Sequence, residues 1–193
     1  MTVMNLMTVA VVGVIFMVSL GSGSAESTPR PPLRTVDSVD LSRYTGTWYE
    51  IARYPNRFQR DCQSDTTAEY TLRKDGKVQV VNSCRQKDGK IKTARGTAKI
   101  ADKTTNAKLR VTFFLPFYGD YWVIGLDSDY RYAIVGEPKR KYLWILSRTP
   151  EMDGTTYEQI VEQIRAASYD PEKLIKTRQS PRSGQPAARS LSN

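Results

Sequence analysis

The sequence predicts an all-β fold: an eight-stranded antiparallel up-and-down β-barrel with one C-terminal α-helix packed outside. Three observations predict it. Polar and apolar side chains alternate with period two over a series of short runs, as half-buried strands do. Compact turn signals separate the runs, so consecutive strands read as hairpins. The period changes only once, near residue 155, where apolar residues take helical spacing. Consecutive hairpins with no long crossover favour a closed barrel, and eight strands enclose room for one small ligand.

The elements follow in order. The first 25 residues carry no charged side chain; the apolar run Val9 to Leu20 precedes "GSGSA". Residues 1–25 therefore read as a signal peptide cleaved after Ala25, with an uncleaved anchor as the alternative. The run is short for a hydrocarbon core that needs roughly 20 residues. Residues 26–39 are a Pro-rich lead-in. The strands are expected at 47–54, 66–73, 77–85, 90–100, 108–115, 121–126, 131–136 and 142–148. Asp75-Gly76 predicts a type I′ turn, with positive φ at both positions; Asp88-Gly89 marks a second turn. Over Thr155–Ser168, Tyr157, Ile160, Val161 and Ile164 share one helical face, and Thr155 or Thr156 can cap the helix. "DPEKLI" then opens a short turn with Pro171 at a helix-start position, and "IKTRQ" returns as a last strand. The folded domain spans residues 40–180, and 181–193 is a polar, basic, disordered tail.

Composition narrows the chemistry. The chain has 193 residues, two cysteines and no histidine. A His-containing triad and a His-ligated zinc site are thereby excluded, and neither a metal nor a cofactor is expected. Net charge is +9, which favours an anionic partner. An exported protein rarely meets nucleic acid, so the surface of an anionic membrane is the expected counter-charge; the alternative is a merely solubilising surface.

Three motifs carry a family resemblance. Gly46-Thr47-Trp48-Tyr49 matches the G-x-W-Y signature that opens the first strand of lipocalins. "LDSDYRYAIVG" resembles the second signature, through Asp129 and Tyr130, and "YLWILSRTP" resembles the third, ending in Arg148. With "PFYGDYWVIGLD", they resemble the bacterial lipocalin subgroup, close to apolipoprotein D, over roughly residues 36–180. The resemblance implies that Gly46 lets the chain turn into the barrel, that Trp48 plugs the closed end, and that Arg148 packs across Trp48. Well-known members of the subgroup are anchored through an N-terminal Cys. This sequence has "GSGSAES" there, so a soluble periplasmic or secreted protein, not lipid-anchored, is expected.

Fixing one residue per strand assigns the inward faces. Arg148 brings Leu146, Trp144 and Tyr142 inward; Trp48 brings Glu50 and Ala52. The parity that resembles the family adds Ala68, Tyr70 and Leu72; Val78, Val80 and Asn82; Ala94, Gly96 and Ala98; Leu109, Val111 and Phe113; Tyr121, Val123 and Gly125; and Ala133 with Val135. Trp122, Ile124 and Leu126 are then expected against the external helix. Of the inward set, Tyr70, Val80, Asn82, Ala98, Val111, Phe113, Tyr121, Val123, Val135, Tyr142 and Trp144 are the expected ligand contacts. The Ala/Gly wall leaves volume, and the buried hydroxyls need partners. The alternative is a set that simply fills the barrel. A mostly apolar pocket with a few hydroxyls suits a fatty acid or lysophospholipid. Arg57 and Phe58, with Arg60, sit on the mouth loop, where an Arg could hold a headgroup.

Cys62 and Cys84 straddle a hairpin of an exported chain and are expected to pair; a nucleophilic thiol is the competing reading. The function expected is lipid binding for storage, transport or membrane maintenance, by a monomer or a dimer, without catalysis. Two alternatives stand beside it. One is an enzyme using Glu50, the only inward carboxylate; the other is a non-binding structural barrel.

Overall fold

The computed structural model describes residues 30–180. The signal peptide and the C-terminal tail lie outside the described residues. Eight strands run β1 (Gly46–Arg53), β2 (Cys62–Leu72), β3 (Val78–Gln86), β4 (Ile91–Ile100), β5 (Lys108–Phe114), β6 (Phe117–Leu126), β7 (Tyr132–Gly136) and β8 (Leu143–Ser147). Each pairs antiparallel with the next; β8 returns to β1, and β1 pairs with β2 to close the barrel. A short helix, α1 (Leu41–Tyr44), precedes β1, and α2 (Gly154–Ala166) follows β8. A two-residue strand, β9 (Ile175–Lys176), pairs with Ala52 and Arg53 of β1.

Apolar alternation produces two cores. Inside the barrel, Trp48, Tyr70, Val80, Leu109, Val123 and Leu146 pack together. Outside it, Ile134, Leu143 and Ile145 meet Ile160 and Ile164 of α2, all essentially inaccessible to water. Each such isoleucine contributes on the order of 1.5–3 kcal/mol by its burial. The lead-in is tied down along its length. Leu33 joins the helix-side core, Val36 N–H donates to Val123 O at 3.0 Å, and Val39 N–H donates to Thr105 O at 2.7 Å.

Four local expectations are corrected. The register of β1 against β8 slips between Glu50 and Ala52, a bulge at Ile51. Ala52 therefore joins the helix-side core, and Arg53, opposite Trp144, takes the inward position. The register of β6 slips between Val123 and Gly125. Gly125 thus lies under Ile134 and Gln163, where a Cβ would sit 2.6 Å from Ile134, and Leu126 turns into the barrel instead of meeting α2. At the first hairpin only Gly76 has positive φ; Gly76 N–H donates to Arg73 O and Arg73 N–H to Lys77 O. That is a type I turn followed by a left-handed Gly, not type I′. The helix cap is Asp153, whose carboxylate accepts Thr156 N–H at 2.8 Å. It precedes the expected Thr, and an ionised cap also suits the positive helix N-terminus.

Candidate functional site

The closed end is built from three segments remote in sequence. Trp48 is fully buried and its Nε1 donates to Tyr44 O at 2.9 Å. The Arg148 guanidinium lies 3.8 Å over the Trp48 ring and donates to Thr47 O and Arg43 O at 3.0 and 2.6 Å. Gly46, at φ +90°, is where the chain turns beside this guanidinium; a Cβ there would stand 3.5 Å from Arg148 Nη1. Tyr130 accepts Asp40 N–H at 2.8 Å and stacks under Arg43. In the second motif the carboxylate that shapes the turn is Asp127. It accepts Asp129 N–H, Arg131 N–H and two bonds from the Arg131 guanidinium, so its carboxyl is held below the usual range.

Above this plug lies a floor of phenols. Tyr44 and Tyr70 each hydrogen-bond the Tyr121 hydroxyl, at 2.8 and 3.0 Å. Burial raises all three, Tyr70 to about 12, so they stay neutral. Three O–H groups share two mutual bonds, which leaves one phenol proton to donate elsewhere.

Higher in the barrel the inward residues change character. Val78, Val80, Ala98, Leu109, Val123, Val135 and Leu146 are buried in the floor. Asn82, Val111, Tyr142 and Trp144 are inward by register yet half-buried, and Ala94 and Phe113 are exposed. These inward side chains stay accessible to solvent, whereas the former are sealed by packing. The Gly of the expected small wall is accounted for differently: a Cβ at Gly96 would meet the Phe113 ring at 2.8 Å, so the glycine makes room for that ring. The Asn82 side-chain oxygen is buried there with no hydrogen-bond partner. Trp144 stacks on Tyr142 at 5.9 Å, and Tyr142 meets Phe58 at a tilt at 5.7 Å. Arg57 sits over Phe58 at 5.3 Å. Arg57 and Phe58 are exposed at the mouth, on the 3-10 turn Arg57–Gln59.

Gln59 of this turn reaches back into the barrel. It accepts from Trp144 Nε1 at 3.0 Å and donates to Glu50 at 2.5 Å. Thr177 donates to the other Glu50 oxygen, and Arg53 Nε approaches that oxygen at 3.3 Å without hydrogen-bond alignment. Burial pushes the Glu50 carboxyl up, against the pull of Thr177, Gln59 and Arg53. Both its oxygens are engaged in holding the wall together. A cavity of about 400 Å³ opens at this seam, lined by Arg53, Cys62, Gln63, Thr66 and residues 175–178. Cys62 and Cys84 form a disulfide on the same side of the mouth.

The C-terminal segment lies between β1 and β2 here. Gln179 Nε2 donates to Glu50 O and Thr66 O at 2.8 and 2.9 Å, and Asp65 accepts from Ser180 and Arg85. Burial alone would raise the Asp65 carboxyl, but the bonds from Arg85, Ser180 and Ser64 outweigh it and hold it at about 2. A lowered folded-state value stabilises above the unfolded value and is lost as pH falls through the folded one. Stability should therefore drop by up to about 2 kcal/mol between about pH 5 and pH 2 through this group. Denaturant midpoints measured across that range in wild type and Asp65→Asn check it: the variant should show a shallower decline.

Of the expected ligand contacts, the structure gathers Asn82, Val111, Phe113, Tyr142 and Trp144 around the open half. Tyr70, Val80, Ala98, Val123 and Val135 are buried, Ala98 opposite Val111 and Val135 opposite Trp144, and Tyr121 is half-buried at the phenol cluster. Sequence reasoning missed Tyr44, Arg53, Gln59 and Thr177. Only Arg53 carried a local signal, as the residue that a single bulge would bring inward.

Comparison with known proteins agrees with this architecture. Residues 39–179 match the family described as Lipocalin-like domain. Temperature-induced lipocalin-1 of Arabidopsis thaliana is 44% identical over 161 residues, 79% of this chain and 86% of the relative. The outer membrane lipoprotein Blc of Escherichia coli K12 is 43% identical over 152 residues, 77% of this chain and 85% of Blc. Among solved structures, insecticyanin from Manduca sexta superposes with a TM-score of 0.65 at 28% identity, covering 78% of this chain and 86% of insecticyanin.

Proposed function

The chain belongs to the lipocalin family, and from that premise we propose that the mouth half of its barrel binds one long-chain amphiphile, a fatty acid or lysophospholipid, for lipid storage, transport or membrane maintenance. The observation that carries this reading is the vertical change in burial: inward residues are sealed near Trp48 and accessible around Trp144. The Phe58, Tyr142 and Trp144 rings, in contact one after another, offer a face for an acyl chain. Arg53 suits the headgroup. Its guanidinium lines the cavity, and its only ion pair among the described residues is the misaligned approach to Glu50. An Arg fork matches a carboxylate or phosphate in geometry.

The role is binding without turnover. Glu50 has both oxygens committed to Thr177, Gln59 and Arg53, which argues against an acid or base at that position. Export is supported by the apolar run before "GSGSA" and by a disulfide, which persists in oxidising compartments. No described helix is long and apolar enough to cross a membrane.

Titration with a long-chain fatty acid or a lysophospholipid, followed by intrinsic fluorescence, tests the proposal. Trp144 should report binding, and Trp144→Phe should remove most of the signal. Ala94→Trp should block binding by filling the open half while leaving the circular dichroism spectrum unchanged. Wild-type affinity in Ala94→Trp would place the ligand elsewhere. Absence of any acyl binding by wild type would leave only a structural barrel.

A further inference from the structure

The mouth end carries apolar side chains that no described residue covers. The hairpin joining β5 to β6 presents Phe114, Leu115 and Phe117 with 74%, 67% and 72% of their surface exposed. Phe114 and Phe117 stack on each other at 6.3 Å, not on the barrel. Phe58, on the 3-10 turn, and Ile91, at the start of β4, are more than half exposed at the same end. Contiguous exposed apolar residues of this kind mark an interaction surface in a soluble domain. They are absent from the rest of the β5–β6 outer face, where Arg110 and Asp120 are paired across the strands.

Charge identifies the occupant. The same end carries Arg57, Arg60, Lys87, Lys139 and Lys141, none of which makes an ion pair among the described residues. Its acids are already committed: Asp61 to Lys92, Asp88 to Lys90, and Glu137 to the backbone of residues 139 and 141. An apolar tip ringed by uncompensated cations complements a surface that is hydrocarbon beneath and anionic on top. We propose that the mouth of the barrel docks on anionic lipid bilayers, with Phe114, Leu115 and Phe117 entering the acyl region and the surrounding Lys and Arg resting on the headgroups. In this pose the mouth of the barrel faces the bilayer. Docking does not depend on the ligand reading; a barrel that binds nothing would still dock.

Flotation with vesicles of phosphatidylcholine, alone or mixed with phosphatidylglycerol, tests it. Wild type should float with the mixed vesicles, less so as salt is raised, and only weakly with phosphatidylcholine alone. Leu115→Asp with Phe117→Ser should lower the partition at least about tenfold, since each buried side chain of this size is worth about a factor of ten or more. Phe114→Trp should shift its emission to the blue on mixed vesicles and be quenched by lipid brominated along the acyl chain. The positions are solvent-exposed, so folding is retained. Fatty-acid titration of the double variant should match wild type, which separates failure of docking from failure of the ligand site. Equal flotation of wild type and double variant, or an unshifted Phe114→Trp, would overturn the proposal. So would self-association of wild type that is abolished by the double variant and accompanied by no flotation, which would assign the patch to a second copy of the chain.

Discussion

Trp48→Ala should lower the free energy of unfolding by about 3–5 kcal/mol, the range for truncating a core Trp. The loss has three sources on the structure. The ring is fully buried, its Nε1 satisfies Tyr44 O, and it forms the surface on which Arg148 lies. Removing it leaves a void at the closed end and strips the guanidinium of its aromatic partner while its bonds to Thr47 and Arg43 remain. Arg148→Lys should cost less, because the stem still packs, but the two-carbonyl fork is lost. Equilibrium urea unfolding measures both; a loss below about 1 kcal/mol for Trp48→Ala would remove it from its role as plug.

Replacing both cysteines by serine should cost on the order of 3 kcal/mol. Cys62 and Cys84 are 22 residues apart, and opening a loop of that size restores that much chain entropy to the unfolded state. The bond fixes the start of β2 beside the cavity, so the loss should also appear locally as faster amide exchange in residues 60–66. Unfolding midpoints of the double variant, with and without reductant, check the global term. Reductant should shift wild type toward the variant and leave the variant where it is.

Much of this architecture could be read from the chain, and where it could not the reasons are local. Uninterrupted alternation on β3, β4 and β8 determines inward faces because the pleat has a period of two. Bulges at Ile51 and Ile124 each add one residue without a compositional marker, so Ala52, Gly125 and Leu126 fall on the face opposite to expectation. Pattern alone points to Asp129 as the acidic residue of the second motif, whereas the turn is organised by Asp127. Two acids two positions apart are equivalent to pattern reasoning until Arg131 chooses one. The open half of the site was legible as a set of inward residues but not as a height in the barrel. That height depends on Tyr44, Gln59 and Thr177, which arrive from outside the strands.

The insertion of the C-terminal segment between β1 and β2 bears on how the molecule assembles. The mouth half of that wall is joined by Gln179 reaching the backbone of Glu50, 129 positions away along the chain, whereas most strand pairs join neighbours in sequence. Contacts that close so long a loop are entropically late. The hairpins from β2 through β8 can zip in succession, while this wall waits for the chain's two ends to meet. It is therefore a seam expected to fasten last on refolding.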